Sequence, residues 1–427
     1  MKKYEYPEVG EVLYRQTLSN GLEVMVLPRP GFTKKLAYFV TDFGSIHTDF
    51  ILEGREIHAP AGIAHFLEHK MFDLPGGRDV SAELAALGAD TNAFTSYDMT
   101  AYYISCTENF EEALKLLIEF VSTPYFTEES VQKEMGIIDQ EIGMNEDMAD
   151  SRLFDALMEE MYREHPVRVP ILGTSETIRQ ITPQILHDCH RAFYTPGNMI
   201  LCVVGDVEPD RVAEIALQLL RPEPRPVGEK LRNWNEDMHP VSGGGEMEME
   251  VSMPMFHIGF KAEPVGTGEE AIRQEIIADL AAEALFGESS ELYLKLYEEG
   301  IIDSSFGGGF ETIDGMAMLL CSGDSNDTDA IREAIVQQGK KIAREGISEE
   351  NFQRMKRSAF GRKIRDLDSF SSTCFRLCAT YFTDFDYFEF PRLYRSVERT
   401  EIQEFLGRVV RKDRCVRGVV NPIKEAT

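Results

Sequence analysis

Apolar residues along this chain fall into two kinds of pattern, and their alternation predicts a mixed architecture. Short runs closed by turn signals make up the first kind. Residues 22–28 (LEVMVLP) and 36–42 (LAYFVTD) follow the Asn20-Gly21 turn and predict strands. Residues 90–106 (DTNAFTSYDMTAYYISC) are rich in Thr, Tyr and Phe and predict a hairpin. Residues 200–207 form a continuous apolar strand that ends in Gly205-Asp206. Helical spacing fills the gaps. Residues 61–72 read as one helix and 81–87 as another, stopped by Gly88. Within 110–123, Leu114, Leu117, Ile118 and Val121 share a face, and 130–144 reads as a long helix. The second part repeats the mixture, with a strand at 253–260, a helix at 271–286 and a strand at 316–322. Helices and antiparallel strands in blocks point to the α+β class.

The pattern breaks at 221–245 (RPEPRPVGEKLRNWNEDMHPVSGGG), which holds four prolines between Pro222 and Pro240 and ends on three glycines. This stretch predicts an extended linker, 221–245, between a domain at 1–220 and a domain at 246–427. Trp234, the single tryptophan, is expected to dock the linker onto one half. The halves look related. Ile63, Ala64 and Phe72 recur as Ile277, Ala278 and Phe286 at a constant spacing of 214 positions. A duplication of units this long predicts two similar domains rather than a solenoid of short repeats.

Charge and cysteine usage narrow the possible partners. The 427 residues carry 44 Lys and Arg against 73 Asp and Glu, a formal net charge of −29. Such a surface repels phosphate backbones and anionic lipid headgroups, which argues against nucleic-acid or membrane-surface binding. Basic peptides would suit it as ligands, but the plainer reading is that the acidity keeps the protein soluble. The seven cysteines include no CxxC, and Cys202 and Cys321 sit in apolar runs. They read as buried thiols of a reducing compartment, with no disulfide framework. The opening MKKYEYPEVGEVLYR has no apolar signal-peptide core, and no stretch approaches the ~18 apolar residues of a membrane span. The expectation is a cytoplasmic protein.

The chemistry concentrates at His65-Phe-Leu-Glu68-His69. On a helix, His65 and His69 project from one face one turn apart, so two imidazole nitrogens can meet one metal ion. Glu68 lies on nearly the same side, placed to act on a water rather than to ligate. This is the inverted order H-x-x-E-H, and zinc is the natural metal for imidazole and carboxylate donors. Three ionisable groups in an otherwise apolar helix (Ile63, Phe66, Leu67, Met71, Phe72) would be costly without a metal. Two histidines need a third ligand. Glu134 and Glu141, seven residues apart on one helix face, are the candidates: one can bind the metal and the other orient an imidazole. Spacing alone does not choose between them.

HFLEH, the downstream Glu pair, LGADTNAFTSYDMTAYY, HPVRVPILGTSETIRQIT and YTPGNMILCVVGDV resemble, in order and spacing, the M16 zinc proteases (pitrilysin, insulinase, mitochondrial processing peptidase). The length is similar to the smaller bacterial M16B subunits, and the chain looks like the Bacillus-type insulinase-like proteases paired with a metal-less homologue. The resemblance implies two related α/β roll domains, each a mixed antiparallel sheet flanked by helices, joined by the extended linker and enclosing a chamber. It implies a zinc metallopeptidase with one zinc ion per chain, bound by His65, His69 and Glu141. Glu68 would be the general base and Glu134 a supporting residue for a ligand. The spacing of 72 positions from His69 to Glu141 is a few residues shorter than the family's, which a shortened loop at 75–79 would explain. Asn92, Ala93 and Phe94 match the strand edge that pairs with the substrate backbone, a mode that reads main chain more than side chains. The lesser alternative for Asn92 is a turn residue closing the hairpin.

Two departures bear on activity. At the repeat positions of the second half, Asp279, Ala282 and Glu283 replace the pentad residues, so no metal is expected there. Where the family places an Arg and a Tyr that contact the substrate carbonyl, this chain has Tyr297 and Asp303, with Arg273 or Lys295 as possible substitutes. The expectation is a heterodimer with a metal-less M16 homologue that supplies the cationic half, with a homodimer second. A non-catalytic structural or chaperone subunit is the competing function class, and a zinc hydrolase acting on other substrates is a third.

Overall fold

The computed structural model describes residues 1–232 and 234–423. Contacts divide the chain into two compact units. Unit 1 is Met1–Ile142, Pro170–Asn233 and Ile364–Glu389; unit 2 is Gly143–Val169, Trp234–Lys363 and Phe390–Thr427.

Unit 1 is built on a seven-stranded sheet. Its strands are β1 (Lys2–Tyr6), β2 (Glu11–Thr17), β3 (Glu23–Pro28), β4 (Lys35–Thr41), β5 (Ala89–Thr95), β6 (Thr100–Cys106) and β7 (Met199–Gly205). The spatial order is β1-β2-β3-β7-β4-β6-β5. β3 and β7 run parallel, and every other neighbour is antiparallel. β7 is buried at all seven positions, and period-two alternation explains how. Ala37, Phe39, Leu201 and Val203 point into a core shared with the helices Phe110–Ser122, Pro183–Phe193 and Pro209–Leu219. Their neighbours Tyr38 and Cys202 meet the helix Phe370–Phe382, through a Tyr38–Ser371 hydroxyl contact at 3.3 Å and through Cys374 Sγ, 3.9 Å from the Cys202 carbonyl. A strand covered on both faces reads as an unbroken apolar run, which is what 199–204 shows.

Unit 2 repeats the plan. Its strands are β8 (Glu246–Met249), β9 (Met255–Lys261), β10 (Gly307–Ile313), β11 (Met316–Asp324) and β12 (Cys415–Pro422), in the order β8-β12-β9-β11-β10. β8 and β12 are parallel and the rest antiparallel. This is strand for strand the arrangement β3-β7-β4-β6-β5 of unit 1, so the duplication inferred from a few matched residues is visible in the topology. The helix Ala149–Met161 packs against β9 and β12. It approaches so closely that a Cβ on Gly259 would lie 2.6 Å from Met161 Cε, and one on Gly418 2.8 Å from Leu153 Cδ1.

The units differ from the chain boundaries 1–220 and 246–427 by two segments. Residues 143–169 belong to unit 2, and 364–389 to unit 1. Each half of the sequence lends a helix to the unit built mainly from the other half, because that helix buries its apolar face on the other half's sheet. The connector is not free along its length. Glu229–Lys230 pairs with Phe50 and Ile51 in unit 1. Trp234 docks in unit 2, its ring 4.6 Å from that of His165 in an edge-on arrangement. All seven cysteines are buried and unpaired, and no helix among the described residues is long and apolar enough to cross a membrane.

Candidate functional site

The helix Ile63–Lys70 begins at Gly62, whose φ of 88° and contact with Leu172 admit no side chain: a Cβ there would meet the Leu172 carbonyl oxygen at 2.5 Å. Every residue of this helix except His69 is buried, including His65 and Glu68 at 7% exposure each. The long helix Glu128–Glu146 supplies Glu134 and Glu141. Potential ligand atoms of His65, His69 and Glu141 lie within 4.8 Å of one another, the one such group of His, Cys, Asp or Glu among the described residues. His65 Nε2 is 3.7 Å from Glu141 Oε1, and His69 Nε2 is 3.6 Å from Glu141 Oε2.

These separations are too long for hydrogen bonds but close to the ~3.4 Å between ligands that tetrahedral zinc bonds of about 2.0–2.1 Å produce. His65 Nδ1 has no hydrogen-bond partner although it is buried. Burial, with the neighbouring His69, pushes the His65 pKa down to about 3, so this imidazole stays neutral, as a metal ligand must be. His69 shows the opposite balance. Burial acts to lower its pKa, but the hydrogen bond to Glu134 and the charges of Glu68, Glu134 and Glu141 outweigh it and raise it. Three carboxylates around two imidazoles call for a cation. Two imidazoles and a carboxylate are the donor set of a catalytic zinc site, and the residues present fit that ion.

Around this set the structure separates the two glutamates that spacing left equivalent. Glu134 Oε1 is 2.9 Å from His69 Nδ1, on the far side of the ring from Glu141. Glu68 stands apart from the three converging groups, and its Oε2 accepts a hydrogen bond from Thr95 Oγ1 at 2.8 Å. Burial raises the Glu68 pKa, partly offset by Thr95 and His69. Thr95 was not singled out in the sequence. Its signal is positional: it closes the strand that carries Asn92, Ala93 and Phe94.

That strand, β5, is the outer edge of the unit 1 sheet and packs against the pentad helix. Asn92 lies within the strand, opposite Tyr103, and the hairpin turn closes instead between Ser96 and Met99. Asn92 is exposed, and its Oδ1 accepts from the Ala93 N–H at 2.9 Å. The Phe94 ring lies 6.0 Å from that of Phe375. Behind the helix, the buried hydroxyls of Tyr102 and Tyr194 contact each other at 2.8 Å, a second pair that the sequence did not announce.

In unit 2 the departures take definite places. Tyr297 is exposed and stacks on Tyr293 at 5.7 Å. Asp303 accepts from the Ser305 N–H at 2.7 Å. Glu283 pairs with Arg362 at 3.1 Å. Arg273 is held by both carboxylate oxygens of Glu401, at 2.7 and 2.8 Å, so one of the two expected substitute cations is already engaged.

Residues 55–175 match the family described as Insulinase (Peptidase family M16), and residues 180–359 match Peptidase M16 inactive domain. The Uncharacterized zinc protease YmfH of Bacillus subtilis (strain 168) is 36% identical over 421 residues, 97% of each chain. An uncharacterized zinc protease of Rickettsia felis is 27% identical over 66% of each chain. The crystal structure of a putative M16-like peptidase from Alicyclobacillus acidocaldarius superposes with a TM-score of 0.92 at 32% identity, covering 96% of this chain and 98% of that one. A structure titled peptidase M16 inactive domain from Pseudomonas fluorescens shares the fold, with a TM-score of 0.80 at 17% identity over 97% and 99% of the two chains. With its two sheets of one topology and its histidines and glutamates gathered on the matching segment, the chain belongs to peptidase family M16.

Proposed function

We propose that this chain is a zinc metalloendopeptidase that hydrolyses peptides or small unfolded polypeptides. The observation that carries the reading is the convergence of His65, His69 and Glu141, with Glu68 beside them but outside the ligand set. His65, His69 and Glu141 would hold one zinc ion. Zinc bound there supplies a lowered water pKa and a polarised scissile carbonyl. Glu68 takes the proton of the attacking water and returns it to the leaving amine, a task suited to a carboxylate whose proton affinity burial has raised. Glu134 accepts a hydrogen bond from His69 Nδ1–H and so leaves Nε2 free for the metal. The substrate adds as an extended strand along β5, held by main-chain hydrogen bonds beside Asn92, Ala93 and Phe94.

The test combines metal analysis with peptide hydrolysis by wild type and by Glu68→Gln. The expected outcome is one zinc per chain in both proteins, with hydrolysis in the variant reduced by about 10²–10⁴-fold. Zinc-free protein without hydrolysis would instead support a non-catalytic structural subunit. The description of residues 180–359 as an inactive domain keeps that second reading in play.

The proposed partner is a metal-less homologue. Tyr297 and Asp303 stand where an Arg and a Tyr are expected and Arg273 is engaged by Glu401, which leaves Lys295 of the two substitutes; a homologous chain would bring a further cation, with a homodimer as the second arrangement. Adding that homologue should raise hydrolysis. A rate unchanged by its addition refutes the split site. The net charge of −29 fits a cytoplasmic protein that takes no nucleic acid or membrane surface as a partner.

A further inference from the structure

Unit 1 contains a cavity of about 610 Å³ whose lining includes none of His65, Glu68, His69, Glu134 or Glu141. It lies among the helix Pro183–Phe193, the segment after the helix Phe110–Ser122, and residues 219–225 at the start of the connector. Its size falls within the ~300–1,000 Å³ of small-molecule sites. The buried part of the lining is mostly apolar, with Phe39 from β4, Met199 from β7, Tyr194 and Leu220, alongside Asp188 and His190. His190 adds a flat surface. Its ring stacks on Tyr194 at 4.9 Å, and its Nε2 is 3.2 Å from the Val121 carbonyl oxygen. Burial lowers the His190 pKa to about 4, so this ring stays neutral at neutral pH.

The mouth is different. Arg221 and Arg225 are exposed there, and neither has an ion-pair partner among the described residues. Asp188, also in the lining, is buried and already paired with Arg191 at 3.1 Å and Arg55 at 3.6 Å. Arg191 lines the cavity too, so outside the Asp188–Arg191 pair two arginines stand against one acid, Glu223, in a chain whose net charge is −29. An apolar chamber with a cationic mouth selects a ligand with an apolar body and one anionic end. A single carboxylate suits the mouth better than a doubly charged phosphate, which Glu223 and the surrounding acidity would oppose. We propose that this cavity is a second ligand site of the chain, for a small monocarboxylate with an aromatic or branched apolar body. The carboxylate pairs with Arg221 and Arg225, and the body packs on Phe39, Tyr194 and Met199.

The experiment is calorimetric titration of the full chain with 4-phenylbutyrate and with its neutral isostere 4-phenylbutan-1-ol. The expected result is saturable one-to-one binding of the acid and about tenfold or weaker binding of the alcohol, since a charge-assisted pair is lost. The double variant Arg221→Glu/Arg225→Glu should lose the acid by a similar factor while keeping its circular dichroism and melting temperature, because both side chains are exposed. Absence of saturable binding to wild type, equal affinity for acid and alcohol, or unchanged binding in the double variant each overturns the proposal. None of these readouts uses peptide hydrolysis, so the result is independent of the proposed protease activity.

Discussion

At the scale of single residues, the site depends on which side of each ring a partner occupies. Sequence spacing puts Glu134 and Glu141 on one helix face, two turns apart, and can do no more. The folded helix places one at His69 Nδ1 and the other across from both Nε2 atoms. Thr95 belongs to the same logic. Among the described residues its hydroxyl is the one side-chain donor hydrogen-bonded to Glu68, and it arrives from a strand 27 positions away. If Glu68 is the base as proposed, replacing Thr95 with Val should leave zinc content and KM nearly unchanged and lower kcat by about tenfold, because Glu68 loses its alignment and a hydrogen bond to a charged group. Thr95→Ser should restore the rate. A change in zinc content, or failure of Ser to rescue, would mean that Thr95 acts through packing instead.

At the scale of elements, the apolar pattern named most of the elements near the site. The helix read at 61–72 is Ile63–Lys70, the hairpin at 90–106 is β5 and β6, and the helix at 130–144 is Glu128–Glu146. Unread were the helices Ala149–Met161 and Phe370–Phe382, whose partners lie far away in sequence. Their apolar faces have ordinary helical spacing, but nothing local says which sheet they cover. The glycines opposite the first of them are informative only afterwards. Gly259 lies in a strand whose burial reads as an ordinary core, yet any Cβ there would strike Met161. Gly259→Val should therefore destabilise unit 2 by about 1–3 kcal/mol, measured as a lower urea midpoint, and Met161→Ala in the same chain should recover part of the loss.

At the scale of the whole molecule, the connector is a structural member rather than a loose tether. Glu236 accepts the N–H groups of Glu164 at 2.6 Å and His165 at 2.7 Å and pairs with the buried Lys261 at 2.8 Å. Burial alone would raise its pKa, but Lys261 and the backbone donors prevail and hold it down at about 2. The unfolded value is about 4.3, so the folded state favours the carboxylate. Its contribution to stability is complete above the unfolded pKa and is lost as pH falls toward about 2. Wild type should therefore lose melting temperature between about pH 4.3 and 2 more steeply than Glu236→Gln, with the two curves converging at the acid end. Parallel curves would mean that this carboxylate is not linked to folding.

The sequence by itself determined the mixed class, the internal duplication and the pentad. Each rests on short-range periodicity or on a few ionisable residues within two helical turns, where geometry follows from spacing. Only the tertiary structure decided which glutamate faces both imidazoles, which threonine aligns Glu68, and which half of the chain owns which helix. Those outcomes turn on contacts between segments tens to hundreds of positions apart. A one-dimensional pattern shows that a face must be buried but not what buries it.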